Sequence, residues 1–175
     1  MRIFLYLLIL SAFALGSCNK ATNNTSNNST TTPQSSGSGS LTINGDIFTN
    51  QVFSLSVKKT IDTFISKTNI TSVSVGASAD SFTVNVIVAF SGQTTIKNAQ
   101  LLAAGIPDII ISISPVSNPT AYREYSSTSG TLSVTAYGAV GTYITGTFSG
   151  TFTPTAGTSS GITVTNGSFS VKRTE

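Results

Sequence analysis

The chain has 175 residues with nine Lys and Arg against six Asp and Glu, a formal net charge of +3, one cysteine and no histidine. The absence of histidine excludes a Ser-His-Asp arrangement, His-bearing zinc sites and an imidazole general base. The basic residues are scattered, with no stripe of the kind that binds phosphate backbones, so no nucleic-acid partner is expected.

In chain order, Arg2 precedes a thirteen-residue apolar stretch, Ile3 to Leu15, which closes on Leu15-Gly16-Ser17-Cys18. About 20 residues are needed to cross a bilayer, so this stretch is too short to span and has the proportions of an export signal. Small residues at 16 and 17 open the backbone to a peptidase before Cys18. This segment resembles the bacterial lipoprotein signal, which implies a signal peptide at 1–17 and acylation of Cys18, the only cysteine in the chain. Two or more acyl chains hold a protein stably at a membrane, whereas one binds marginally. In the sorting scheme that the resemblance brings with it, Asn19 in place of Asp points to the outer membrane. The lack of acidic residues just after Cys18 favours the periplasmic face over the outer surface.

Residues 18–40 are expected to be the lipidated Cys and a disordered tether, because 18 of the 22 positions after Cys18 are Ser, Thr, Asn or Gly. Such a composition buries too little apolar surface to offset ordering, and as a flexible coil it would reach about 26 Å. The N-x-[ST] sites at Asn23, Asn24, Asn27 and Asn28 are read as composition alone.

Residues 41–175 are expected to form one domain of about 135 residues. Its periodicity is two, carried by β-branched and aromatic residues between Gly, Ser, Asn and Pro, which predicts an all-β fold: a single antiparallel β-sandwich or β-barrel-like domain. Phe53, Leu55 and Val57 share a strand face, as do Leu132, Val134 and Ala136. The runs Phe82 to Phe90 and Ile109 to Ile113 are nearly continuous and are placed centrally, buried on both sides. Helix is possible over 61–67 and over 97–104, the second ending at Gly105 before Pro107.

Towards the C-terminus Ile144, Phe148 and Phe152 fall on one face with Gly146 and Gly150 between them. Either facing side chains fill the space above the glycines or a ligand lies there; packing is the preferred reading. Ile162 and Val164 are even-numbered apolar positions while Phe169 and Val171 are odd. A bulge at Asn166-Gly167 keeps all four on one face and is preferred to a tight turn. Residues Gly146 to Phe152 and Ile162 to Val171 are similar to the closing strands of small β-rich lipoproteins of Bacteroidota. The likeness implies fold and compartment and carries no catalytic residue.

Candidate chemistry is sparse. Asp62, Asp80, Asp108 and Glu124 could supply a carboxylate pair, but none is spaced to share a strand face. Asp46, Asp80 and Asp108 do not cluster as calcium ligands. No catalytic residue, metal or cofactor is therefore assigned, and an enzyme is not expected. Tyr122-Arg123-Glu124-Tyr125 interleaves rings and charges: it is either a ligand-binding patch, joined by Tyr143, or an edge strand guarded by charge. Tyr137 and Tyr143 are expected to flank a turn. Two functions stay open: a structural or protein-interaction module, or a binder of a glycan or lipophilic molecule. The expected partners are the membrane, through acylated Cys18, and an envelope protein or glycan.

Overall fold

A computed structural model of the chain describes residues 37–57, 61–78, 81–103, 105–155 and 159–174. The expected signal segment, Cys18, and the tether up to residue 36 lie outside the described residues, as does Asp80. The described strands are β1 Gly37–Gly45, β2 Phe48–Val57, β3 Ile61–Ile65, β4 Ile70–Ser78, β5 Phe82–Ser91, β6 Ile96–Gln100, β7 Asp108–Pro115, β8 Arg123–Tyr137, β9 Tyr143–Pro154 and β10 Ile162–Lys172. Every pairing is antiparallel, in the order β2-β1-β10-β9-β8-β7-β5-β4-β3, with β6 also on β8. The all-β expectation holds, and this sheet curls into a half-barrel.

Connectivity explains the curl. β2 and β3 are the two outermost strands, yet only residues 58–60 separate Val57 from Ile61. Four peptide steps span at most about 14 Å, so the sheet must bring its two edges together. The core lies inside this curl. Val84, Val86, Val88 and Phe90 of β5 share one buried cluster with Leu41, Ile43, Leu55, Phe152, Ile162 and Val164 from the other half. Burying one such side chain contributes roughly 1.5–3 kcal/mol.

β5 and β7 are central as expected, but only β7 is covered on both faces, over Asp108 to Ile111; β5 buries Val84, Val86, Val88 and Phe90 and leaves the positions between them half-covered. β8 is long enough to serve two neighbours on one side. Its Arg123 to Ser126 pairs with β7, and its Thr131 to Val134 pairs with β6. Where β7 leaves off, the buried Ser127 hydroxyl replaces a ladder bond: it accepts the Ile109 N–H at 3.2 Å and donates to Asp108 Oδ1 at 2.8 Å.

Three expectations are corrected. Gly37 to Ser40 belong to β1 and not to the tether, because β2 and β10 extend beside them and offer both ladders, and Ser40 Oγ lies 3.1 Å from Ser168 Oγ. There is no helix among the described residues. The stretch expected as helix over 61–67 is β3 followed by a turn, and 97–104 begins in β6. Each is too short to nucleate a helix alone. β4 and the open side of β8 instead supply strand partners, with Asn98 at φ 50° absorbing a register shift.

The C-terminal pattern is packing. Above Gly146 lies the Phe169 ring, and above Gly167 lies the Phe148 ring. β10 runs unbroken through a bulge, its register shifting between Val164 and Gly167 with Asn166 at φ 53°, so Ile162, Val164, Phe169 and Val171 all point inward.

Candidate functional site

Each end of the half-barrel carries a polar clasp over an aromatic floor. At the first end β1 turns into β2 through Asp46 and Ile47, with Gly45 at φ 106° and Asp46 at φ 49°. Only glycine reaches the first conformation without strain, and the left-handed region of the second is one that Asp tolerates better than most residues. This turn places the Asp46 carboxylate against the start of β8. Asp46 Oδ2 accepts from Arg123 Nε at 3.1 Å and from the Tyr125 hydroxyl at 2.6 Å. Phe48, Phe53 and Phe82 meet edge to face nearby, with centroids 5.6–6.3 Å apart. On the outer face of the same strand Glu124 accepts from the Tyr122 hydroxyl and from Thr155 Oγ1, the latter at 2.9 Å.

The opposite end is built around Tyr137 and Arg173. The Arg173 guanidinium stands 4.9 Å from the centroid of the Tyr137 ring and donates to Gly138 O and Gln93 Oε1, each at 3.1 Å. Phe90 meets Tyr137 edge to face, and the buried Thr71 hydroxyl donates to Gly92 O at 2.6 Å and lies 3.2 Å from the Tyr137 hydroxyl.

The residues singled out in the sequence are therefore divided between the two ends. Tyr122, Arg123, Glu124 and Tyr125 gather at the first, while Tyr143 begins β9 beside Tyr137 at the second. Tyr137 lies twelve residues along β8 from Tyr125, a span of about 40 Å, so Tyr143 is not part of the first cluster. Of the four, Tyr125 is fully buried, with no ring face left for a ligand, and Tyr122 is 45% exposed. The edge-strand alternative is corrected as well: β8 lies inside the sheet, and Glu124 and Tyr125 pair with Ser112 and Ile111 of β7. Asp46, the residue that ties this end together, stood out in the sequence only as one of three aspartates that do not cluster as calcium ligands. Among the described residues no three His, Cys, Asp or Glu stand close enough to hold a metal ion.

The tyrosines record their surroundings. Burial, then the hydrogen bond to Glu124, pushes the Tyr122 phenol up to about 12, with a Ser112 hydrogen bond opposing. Burial, then the hydrogen bond and charge of Asp46, raises Tyr125 well above its ordinary value, against the pull of Arg123. Both phenols thus hold their protons more tightly in the folded protein than in the unfolded chain, where tyrosine titrates near 10. Their contribution to stability is complete below about pH 10 and declines as the pH rises beyond it, because the unfolded chain ionises first. Thermal unfolding followed from pH 8 to 11.5 is expected to show a falling Tm above pH 10, with a shallower fall in Tyr125→Phe. An unchanged alkaline slope in that variant would refute the assignment.

Compared with protein-family models, with curated proteins and with solved structures, the chain matches none.

Proposed function

We propose that this is a lipid-anchored protein of the bacterial cell envelope, held through acylated Cys18, whose β domain acts without catalysis as a structural or protein-interaction module. The anchor reading is supported by the sequence of residues 1–18. Outer-membrane attachment with a periplasm-facing domain is the placement that Asn19 and the residues after it favour. The observation that carries the module reading is the filled interior: rings occupy the space above Gly146 and Gly167, and aromatic rings and polar clasps stand at both ends of the curl. The described acidic side chains are also committed within the fold, Asp46 to Arg123 and Tyr125, Asp108 to Ser126 and Ser127, and Glu124 to Tyr122 and Thr155. A carboxylate held in this way positions strands.

Cys18→Ser tests the anchor. Wild-type protein is expected to incorporate labelled palmitate and enter the detergent phase on partition, and the variant to do neither. Equal labelling of the two would refute the site. For the module, a protein partner is expected to co-purify after mild detergent extraction; retention of a glycan or lipophilic molecule in its place would overturn that reading.

A further inference from the structure

We infer that the end of the half-barrel carrying Tyr137 and Arg173 is a docking face for anionic phospholipid headgroups, so that the anchored domain rests on its membrane in one orientation. The inference builds on acylation of Cys18 and adds a second, electrostatic contact.

It begins with where the chain enters the sheet. Gly37, the first described residue after the proposed anchor, pairs with Val171 on one side and Val57 on the other. Val171 is followed by Lys172, which pairs with Tyr143, and then by Arg173. Arg173 reaches Gln93, whose neighbour Gly92 donates its N–H to Asn69 O at 2.7 Å, and Asn69 closes the β3–β4 turn that carries the exposed Lys67. Lys97 stands in the β6 register shift on the same half of β8. Three cations, Lys67 from one part of the sequence and Lys172 and Arg173 from another, thus converge on the end where the tether arrives, with Lys97 on the flank.

Most of the described acidic residues are placed elsewhere. Asp46 and Glu124 belong to the far end, Asp108 is buried beside Ser127, and Asp62 stands three residues up β3 from Ile65. Lys58, Lys59 and Glu175, the charged residues next in the chain, lie outside the described residues.

The same end exposes apolar surface. Val140 is 60% and Tyr143 46% exposed, and their loop is fixed onto Arg173 by the Gly141 N–H to Arg173 O bond of 2.9 Å. Cations around an exposed tyrosine and a small apolar tip suit the headgroup region, where the phosphates attract the charges and the ring sits at the interface. Nineteen peptide steps from Cys18 to Gly37 span at most about 65 Å, enough for either end to reach the membrane. The anchor alone therefore sets no orientation, and the charge does.

The test uses the full, acylated chain in vesicles. Val140→Cys and Ile47→Cys each supply a single free thiol, one at each end, for a fluorophore; Ile47 is exposed at the Asp46 turn. With brominated lipid as quencher and phosphatidylglycerol in the bilayer, quenching at position 140 is expected to exceed that at 47 severalfold. The difference should vanish in pure phosphatidylcholine and in 0.5 M salt. Lys67→Gln and Lys172→Gln should each weaken docking about fivefold, the effect of one cation near an anionic surface. Equal quenching at both positions, or the same difference in neutral vesicles, would overturn the inference while leaving the anchor intact. A domain held clear of both bilayers would likewise overturn it. Failure to float with either vesicle would remove the anchor, and this inference with it.

Discussion

Gly146→Ala is expected to destabilise the domain by about 3 kcal/mol or more, a large part of the 5–15 kcal/mol that a domain of this size commands. A Cβ at this position would lie 2.4 Å from Phe169 Cζ and 2.5 Å from Ser133 O. The ring can swing aside, but the carbonyl belongs to β8, which pairs with β9 directly across Gly146 at Val134. Relief therefore means opening a ladder or displacing a buried phenylalanine, and overpacking alone typically costs 1–3 kcal/mol. In urea, with a slope of about 2 kcal/mol/M, the midpoint should fall by roughly 1.5 M. Adding Phe169→Leu should recover part of that loss, since it frees the ring conflict and leaves the backbone one. A midpoint shift below about 0.3 M would mean that the glycine and phenylalanine rows do not interlock as described.

Asp46→Ala is the second large effect, with an expected loss of about 2–4 kcal/mol. It leaves the hydroxyl of fully buried Tyr125 without its acceptor, a penalty of about 1–3 kcal/mol, and frees the Nε of a quarter-exposed Arg123. Alanine also tolerates φ 49° less well than aspartate does. Asp46→Gly separates these causes, because it removes the carboxylate and relaxes the backbone. Asp46→Asn keeps an acceptor and a residue suited to the left-handed region, so it should lose about half as much. Combining Asp46→Ala with Tyr125→Phe should cost less than the sum of the two, since they delete the same bond. Strict additivity in chemical denaturation would show that the clasp across this end does not exist.

Much of the sheet was legible because a period of two survives any tertiary arrangement. Val84, Val86, Val88 and Phe90 share one face wherever their strand lies, and the parity change between Val164 and Phe169 can be absorbed on one face only by an inserted residue. The glycine and phenylalanine rows were readable for a similar reason, since a face that alternates the two needs a second surface to fill it. Composition misled at Gly37 to Ser40, where a linker-like sequence is recruited by strands on both sides that provide all its hydrogen bonds. It misled again at Ile61 and Lys97, where local pattern was too short to choose and an unpaired neighbouring strand decided.

The two ends were illegible for a different reason. Antiparallel connections alternate between ends, so residues distant in sequence converge there: Asp46 meets Tyr125 from 79 positions away, and Lys67 and Lys172 reach one end from separate hairpins. Nothing local to Tyr122-Arg123-Glu124-Tyr125 indicated that alternate members would face a half-buried carboxylate and an outer threonine. The scattered appearance of the basic residues had the same origin, because a charge pattern along a folded meander is sorted by turns and not by spacing.

The most direct measurement is the intact mass and first residue of the mature protein extracted from cell envelopes. Cleavage before Cys18, with a mass increment equal to the acyl chains on that residue, is the result predicted. A mature chain that begins elsewhere, or an unmodified Cys18 in protein that remains in the aqueous phase, would contradict it.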